Sequence, residues 1–227
     1  MIRSMLIAGG SRGLSLAYAA HVAPRIPDLA CAARGPAPHG TWLCADLATE
    51  EGIAAITAHY ADRPLDALVF AGGTWEDGAF TDAYDFATAV PEEAARVIAV
   101  NLVAPIRLVQ ALLPSFARAG APRAVFVGAL SGLDNAATRE VANSASKSGL
   151  RGAVQAMRRE LGARGIGFTV LNPGNVATPE VEADIAEGRF GPQRPIPVGD
   201  FCAAVDFVLS LSPDSVVTEI NLAQMRG

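Results

Sequence analysis

The stretch of residues 5–15, M-L-I-A-G-G-S-R-G-L-S, constrains the fold more than any other part of this chain. Three apolar residues run directly into a turn that contains Gly9, Gly10 and Gly13, and residues 14–22 are almost entirely helix-forming types. A strand, a glycine turn and a helix in this order create an anion site, because the first N–H groups of a helix lack partners and its dipole attracts negative charge. Glycine also permits positive φ and lets a pyrophosphate lie against bare backbone. The stretch is a candidate nucleotide site, although such a turn also serves as a plain helix cap.

Apolar runs alternate with helical stretches along the rest of the chain, which predicts a parallel sheet covered by helices on both faces. We expect one α/β domain over residues 1–227, with a doubly wound sheet of about seven strands. The predicted strands are residues 5–8, 29–33, 41–45, 67–70, 125–127, 168–171 and 216–220. The later predicted helices are residues 49–60, 91–116 and 137–163, and Pro105 and Pro114 should bend or interrupt the second of them.

Composition narrows the class of protein. A net charge of −5 argues against a nucleic-acid-binding surface. No apolar run approaches the 18 residues of a membrane span, and the N-terminal residues do not resemble a signal peptide. The three histidines lack the spacing of metal ligands, so no metal is expected. Cys31, Cys44 and Cys202 are scattered along the chain and are predicted to be buried, reduced thiols, which favours a cytoplasmic protein. Together these observations predict neither membrane nor nucleic-acid partners.

In sheets of this kind, ligands bind at the carboxyl ends of the strands. The residues that follow the predicted strands should therefore line one crevice; they are 9–13, Arg34, 46–47, 71–74, 128–132 and 172–178. Several of these segments carry glycine, which suits a cofactor lying across the strand ends.

Two arginines favour NADP(H) over NAD(H) as the cofactor. Arg12 lies inside the glycine turn, and Arg34 directly follows the second predicted strand, where an acidic residue would bind a ribose 2′-hydroxyl. A guanidinium cannot accept that hydrogen bond, but its planar fork suits a 2′-phosphate. Arg34 is also consistent with a solvated loop charge. Asp46 fits equally an acceptor for an adenine amino group and a charge before the next helix.

The order of motifs resembles the short-chain dehydrogenase/reductase family along essentially the whole chain. The family's T-G-x-x-x-G-x-G turn corresponds to residues 8–15, with its first threonine and last glycine replaced. Its N-N-A-G corresponds to residues 70–73, V-N-x-x-x-P to residues 100–105, and P-G-x-V-x-T-P is intact at residues 173–179. The resemblance implies a Rossmann-type fold, oxidoreductase chemistry, and a homodimer or homotetramer formed through two long helices.

The same resemblance implies which residues bind the cofactor. Lys147 would bind the nicotinamide ribose and Thr178 the carboxamide, although a lysine at that place also fits the solvated face of an amphipathic helix. The full expected set is Gly9, Ser11, Arg12, Gly13, Leu14, Arg34, Asp46, Leu47, Ala71, Gly72, Lys147, Pro173, Gly174, Val176 and Thr178.

The catalytic residues depart from the family pattern. The family's Y-x-x-x-K pair falls on Asn143 and Lys147, so the lysine is present and the tyrosine is replaced. The family's serine falls on Ala129, or on Ser131 after a small shift. Asn143 can donate a hydrogen bond to an oxyanion but cannot transfer a proton, a function worth roughly 10²- to 10⁴-fold in rate. Asn101 would hold a water that leads to the lysine.

Three hypotheses for function follow from this pattern. The first is an NADP(H)-dependent reductase whose proton comes from Ser131, Ser144 or a water ordered by Lys147 and Asn143. The second is a catalytically inactive cofactor sensor or scaffold. The third is a redox-neutral enzyme on the same fold. The substrate is an unidentified small molecule. Residues 179–197 are expected to form a polar lid that orders when the substrate binds. Trp75 and Phe80 either line the mouth of the site or serve as packing.

Overall fold

A computed structural model describes residues 2–225 and contains a seven-stranded, all-parallel sheet in the order β3-β2-β1-β4-β5-β6-β7. This confirms the predicted doubly wound α/β fold. The strands are β1 (Ser4–Ala8), β2 (Asp28–Ala33), β3 (Thr41–Cys44), β4 (Ala67–Phe70), β5 (Arg123–Val127), β6 (Gly167–Pro173) and β7 (Glu219–Leu222).

Helices cover both faces of the sheet. They are α1 (Gly13–Val22), α2 (Glu50–His59), α3 (Pro91–Ile98), α4 (Ala104–Phe116), α5 (Val141–Leu161), α6 (Pro179–Ala186) and α7 (Val198–Ser210). Successive side chains of a strand point to opposite faces. Leu6 and Ala8 accordingly pack in one apolar cluster with α2, α4 and α5, while Met5 and Ile7 pack in the other with α1 and α7. Because both faces are covered, the central strands need continuous apolar runs.

The predicted helix over residues 91–116 contains a widened turn. A π-helical turn (Ala99–Val103) joins α3 to α4, and the N–H of Ala104 bonds to the carbonyl of Ala99. Pro105 has no N–H to donate to the carbonyl of Asn101, so the regular ladder cannot continue here. The predicted interruption at Pro105 is therefore found, whereas the helix continues through Pro114.

Some sequence predictions differ from the structure. The last strand begins three residues later than predicted, at Glu219, and α5 is shorter at both ends than residues 137–163. Helix α7 lies where no helix is predicted. Helix α6 lies within residues 179–197, and the ordering of that segment on ligand binding stays a prediction. Cys31 and Cys202 are buried as expected, but Cys44 is exposed at the end of the edge strand β3.

One helix within residues 2–225, the continuous Pro91–Phe116, is long and apolar enough to cross a membrane by length and composition. Polar residues interrupt its apolar sequence, so it contains no unbroken apolar run of 18 residues. Here its Leu108, Leu112 and Phe116 side chains are fully buried in the apolar cluster beneath the sheet.

The strand order reverses between β1 and β4, and two glycines meet at that point. Gly9 has φ +103°, and a Cβ built on it would lie 2.6 Å from Gly72 Cα and 3.0 Å from Ser15 Oγ. A Cβ built on Gly72 would in turn lie 2.9 Å from Leu47 Cδ1. Gly9 therefore requires glycine, because its φ is positive and a Cβ would meet backbone, whereas a Cβ at Gly72 would meet only the movable end of the Leu47 side chain.

We expect Gly9→Ala to lower the free energy of unfolding by about 2 kcal/mol or more, because it combines a strained φ with a backbone clash. Urea denaturation followed by circular dichroism measures this change. Gly120→Ala is the control: Gly120 is exposed with no atom within 4 Å of a built Cβ, so its stability should change by less than about 0.5 kcal/mol. Equal stability of the two variants would contradict the close packing at Gly9.

Candidate functional site

The glycine turn presents the N-terminus of α1 to the crevice, and an acidic side chain already lies on it. The N–H of Gly9 bonds to Ala32 of β2, which fixes the turn beside that strand. The N–H of Gly13, the first residue of α1, donates to Glu180 Oε1 at 3.2 Å. Helix α1 has no acidic residue in its own first turn, so Glu180 from α6 supplies the negative charge that the helix dipole favours. A carboxylate of the chain itself therefore lies on the N-terminus of α1, and binding of a cofactor phosphate there stays a prediction.

The two predicted arginines flank this anion site. Arg12 is exposed at the N-cap of α1, and Arg34 is exposed directly after β2. Neither guanidinium forms a hydrogen bond or ion pair with the other described residues, so both are available to a phosphate. Ser11 and Leu14 lie half-buried in the turn and the first turn of α1.

The residues after β3 serve partly local roles. Asp46 Oδ1 accepts a hydrogen bond from the N–H of Ala48 at 2.9 Å, and Thr49 rather than Asp46 caps α2. Asp46 thus shapes the turn before the helix. Leu47 is buried against Gly72 and connects this turn to the end of β4.

The end of β4 connects the glycine turn to the predicted catalytic residues. Half-buried Ala71 follows β4, and Gly72 contacts Gly9. A Cβ built on Gly73 would lie 3.5 Å from Asn101 Oδ1 and 3.9 Å from Lys147 Nζ. The chain therefore brings the anion site and the lysine to one crevice.

Asn101 lies in the π-helical turn and is fully buried. Its Oδ1 accepts from the N–H of Thr74 at 2.9 Å, and its Nδ2 donates to the carbonyl of Thr74 at 2.8 Å and to Ser146 Oγ at 3.1 Å. Both amide protons are used, so Asn101 holds the loop after β4 against α5. A water bound by this amide, as the resemblance implied, stays a prediction.

Lys147 and Asn143 lie one helical turn apart on α5, hence on the same side of the helix. Lys147 Nζ donates to the carbonyl of Val127, the last residue of β5, at 3.1 Å. Burial lowers the pKa of Lys147 to about 8. The Asn143 residue is buried, and its side-chain amide forms no hydrogen bond with the other described residues. The approach of Gly132 to the backbone of Lys147 holds the β5 loop against this turn of α5.

The two serines that are candidate proton donors differ in whether their hydroxyl groups are already hydrogen-bonded. Ser144 Oγ is bonded to Thr138, accepting from its N–H at 3.1 Å and donating to its carbonyl at 3.3 Å, so its hydroxyl is used in the turn before α5. Ser131 lies half-buried in a 3₁₀ turn (Leu130–Gly132) with no hydrogen bond from its hydroxyl to the other described residues. Ser131 is the serine that remains available.

Three glutamates that sequence reasoning missed fix the loop between β4 and α3. Glu76 Oε1 accepts from the N–H groups of Ala142 and Asn143, and so caps α5 from a distant part of the chain. Glu93 accepts from the N–H of Asp77, and Glu140 accepts from the N–H of Phe80. All three carboxylates are buried. Acidic residues in a polar loop normally indicate a solvated face, so no local signal identified them.

The segment after β6 carries the remaining predicted cofactor residues. Thr178 Oγ1 accepts from the N–H of Val181 and caps α6. Val176 is buried and pairs with Ile196, which closes the base of the lid. Pro173 is buried at the end of β6, and a Cβ on Gly174 would meet Gln224 at 2.4 Å, so Gly174 allows close packing with the C-terminal segment.

Aromatic side chains connect the lid to the loop after β4. The ring centroids of Trp75 and Phe80 are 6.0 Å apart, and those of Phe80 and Phe190 are 6.2 Å apart. Phe80 also lines a cavity of about 430 Å³ together with Thr81, Asp82, Ala83, Glu187, Gly188 and Arg189. Phe80 of the loop after β4 thus packs between Trp75 of the same loop and Phe190 of residues 179–197. That these aromatic rings line the mouth of a site stays a prediction.

Comparison with known proteins places this chain in a family. The family model for short chain dehydrogenases matches residues 3–188. The chain is 30% identical over 186 residues to the 3-oxoacyl-(acyl-carrier-protein) reductase MabA of Mycobacterium tuberculosis, covering 78% of this chain and 70% of that protein. It is 28% identical over 197 residues to the ketoacyl reductase HetN of a Nostoc species, covering 80% of this chain and 66% of HetN. The chain thus spans about two thirds of the length of these curated relatives.

Among solved structures, ElxO with NADP bound superimposes with a TM-score of 0.81 over 98% of both chains, at 16% identity. That likeness confirms the fold. Because the family model matches most of the chain, the protein belongs to the short-chain dehydrogenase family of oxidoreductases.

We expect Asn101→Ala to lower the free energy of unfolding by about 2–4 kcal/mol, because it removes the three hydrogen bonds of a fully buried amide, two to the backbone of Thr74 and one to Ser146. Urea denaturation measures the loss. Asn175→Ala is the control: this half-buried asparagine donates one hydrogen bond to Gln193, so its loss should cost less than about 1.5 kcal/mol. A stability loss at Asn101 no larger than at Asn175 would contradict the clamping role.

Proposed function

We propose that this protein is an NADP(H)-dependent reductase of carbonyl compounds. The observation that carries the proposal is that the glycine turn at the N-terminus of α1, the exposed Arg34 after β2 and the half-buried Lys147 beside the end of β5 all lie at the carboxyl ends of strands of one sheet. The family supplies the reaction class, and the ketoacyl reductases among the relatives suggest 3-oxoacyl compounds as first substrates.

The residues present fit a dinucleotide phosphate. Gly10 lets the turn pack directly on β2, since a Cβ there would lie 2.6 Å from Cys31 Cβ. The N–H of Gly13 already binds a carboxylate oxygen, and a pyrophosphate oxygen is chemically equivalent in this role. Arg34 follows β2, the place where dinucleotide folds recognise the ribose 2′ position. Its charge favours the 2′-phosphate of NADP(H) over the hydroxyl of NAD(H).

When bound, the dihydronicotinamide supplies a hydride. This chain's own residues orient the substrate: the amide of Asn143 donates a hydrogen bond to the developing oxyanion, and Lys147 binds the ribose hydroxyls next to it. Trp75, Phe80 and the lid exclude water from the mouth of the crevice.

The proposal is tested by calorimetric titration with NADPH and NADH, followed by NADPH-oxidation assays with 3-oxoacyl thioesters, conjugated enones and imines. We expect NADPH to bind more tightly than NADH, and at least one carbonyl class to be reduced. Absence of binding by either cofactor contradicts both the reductase and a cofactor sensor.

A second candidate function is a cofactor-binding protein without turnover. The replacement of the family's tyrosine by Asn143 and the bonded hydroxyl of Ser144 favour it. Tight NADPH binding without turnover of any substrate class would support this alternative. We further propose a cytoplasmic location and a homodimeric or homotetrameric assembly.

We expect Arg34→Gln to weaken NADPH binding about tenfold or more, since a charge-assisted hydrogen bond to the 2′-phosphate is worth about 1.5–3 kcal/mol. Binding of NADH should stay within about twofold. Arg118→Gln is the matched control, because Arg118 is exposed just after α4 and its side chain bonds, among the described residues, only to the carbonyl of Pro114. Equal losses for NADPH and NADH would contradict the assignment of Arg34 to the 2′-phosphate.

We expect Glu180→Gln to strengthen NADPH binding about three- to tenfold at low salt, because the carboxylate on the N–H of Gly13 competes with and repels a cofactor phosphate. Glu182→Gln is the control, since Glu182 lies in the same first turn of α6 without contacting the glycine turn. The same gain in both variants would indicate a general charge effect instead of competition at Gly13.

A further inference from the structure

Lys147 is the only lysine in this chain, and the other 17 of its 18 lysine and arginine side chains are arginines. A guanidinium keeps its proton at every physiological pH, whereas an ammonium can release one. Lys147 is therefore the only one of these 18 cationic side chains that can act as an acid at physiological pH. The three histidines lie elsewhere: His21 on α1, His59 on α2 and His39 between β2 and β3.

The contacts of Lys147 leave its amine available. Of the three ammonium protons, one is bonded to the carbonyl of Val127, and the described residues offer no second hydrogen-bond partner. Gly73 has no side chain that would cover Nζ. Asn143, one turn earlier on α5, carries a shorter side chain than the family's tyrosine, and its amide has no partner among the described residues.

The charges around Lys147 are bonded elsewhere. On α5 the next charged side chain is Arg151, which pairs with Asp134 and Glu219. On the loop after β4 it is Glu76, whose Oε1 accepts from two backbone N–H groups of α5 and whose buried Oε2 has no partner among the described residues. The 3₁₀ turn and the π-helical turn carry no charged residue, and β5 carries only Arg123, which bonds to carbonyl groups of residues 211 and 212.

No carboxylate therefore holds the proton on Lys147 through an ion pair among the described residues. Burial without a counter-charge destabilises the ammonium form. The pKa of Lys147 is lowered to about 8 for this reason. A general acid is most effective when its pKa lies near the working pH.

We propose that Lys147 is the proton donor of this site, giving a proton from Nζ to the carbonyl oxygen of the substrate, directly or through one water next to Asn143. This inference rests on the proposed function. The carbonyl carbon accepts a hydride, with both electrons, from the reduced nicotinamide. The carbonyl oxygen takes the proton as one N–H bond of Lys147 breaks. The products are an alcohol, the oxidised cofactor and a neutral amine, which solvent reprotonates.

The single lysine allows a direct measurement of its protonation. Protein grown with ¹³C-labelled lysine shows one lysine side-chain signal by NMR, and its pH titration is followed with and without bound NADPH. We expect a midpoint near pH 8 that matches the pH dependence of turnover. A midpoint above pH 10 in the NADPH complex overturns the proposal.

Kinetics of variants provide the second test. In the wild type, kcat for reduction should fall about tenfold per pH unit above the midpoint, because the acid form is lost. Lys147→Arg keeps a cation and its N–H donors but cannot release a proton, so NADPH binding should stay within about threefold while turnover falls about 100-fold or more and the pH step disappears. Ser148→Ala, an exposed neighbour on α5, is the control and should keep the wild-type pH profile.

Two outcomes would contradict the proposal in distinguishable ways. An active Lys147→Arg variant with the wild-type pH profile shows that the enzyme reduces carbonyl groups with another proton donor. Wild-type protein that binds NADPH but reduces no carbonyl compound refutes the proposed function itself, and the proton-donor role with it.

Discussion

The site depends on the close approach of two backbones where the strand order reverses. Gly9 after β1 and Gly72 after β4 are so close that a Cβ on Gly9 would lie 2.6 Å from Gly72 Cα. This contact fixes the glycine turn at the start of α1, and with it the N–H of Gly13 that donates to Glu180. Through Gly73, the same segment passes close to Lys147. Loss of the contact would separate the anion site from the amine.

Polar contacts between elements far apart in sequence then hold the crevice walls. Asn101 binds both backbone groups of Thr74 and also Ser146, so the π-helical turn, the loop after β4 and α5 are joined by one amide. Glu76 bonds to the N-terminus of α5 close to Asn143. Buried polar groups are costly when unpaired, so these contacts specify one arrangement of the walls.

The replacement of tyrosine by Asn143 changes what the neighbouring lysine can do. In this family's pattern the lysine acts beside a phenol, whereas here its amine has only the carbonyl of Val127 as a partner among residues 2–225. Burial without a counter-charge lowers the pKa of Lys147 toward neutrality. A residue that would otherwise support catalysis thereby becomes a candidate acid.

Local patterns were sufficient for some elements and insufficient for others. Continuous apolar runs predicted β1 and β4 because strands buried on both faces have few polar positions. Pro105 predicted the irregular turn at Asn101, since proline has no N–H to donate. Helix α7 could have been predicted from Phe201, Val205 and Val208, which recur at helical spacing and are buried. The position of β7 depended on its pairing with β6, which no local signal encodes.

The sequence by itself determined the class of fold, the family and the group of residues around Gly9, Arg34 and Lys147. These follow from periodicity, glycine positions and motif order, which are local properties of the chain. Only the tertiary structure decided that Glu180 lies on the N–H of Gly13, that Glu76 caps α5 and that Ser144 is bonded to Thr138. Each of these three contacts forms between residues whose positions are set only when the helices and strands have packed. The sequence around an acidic or hydroxyl side chain is the same whether that side chain is solvated or buried in such a contact, so the sequence alone does not predict it.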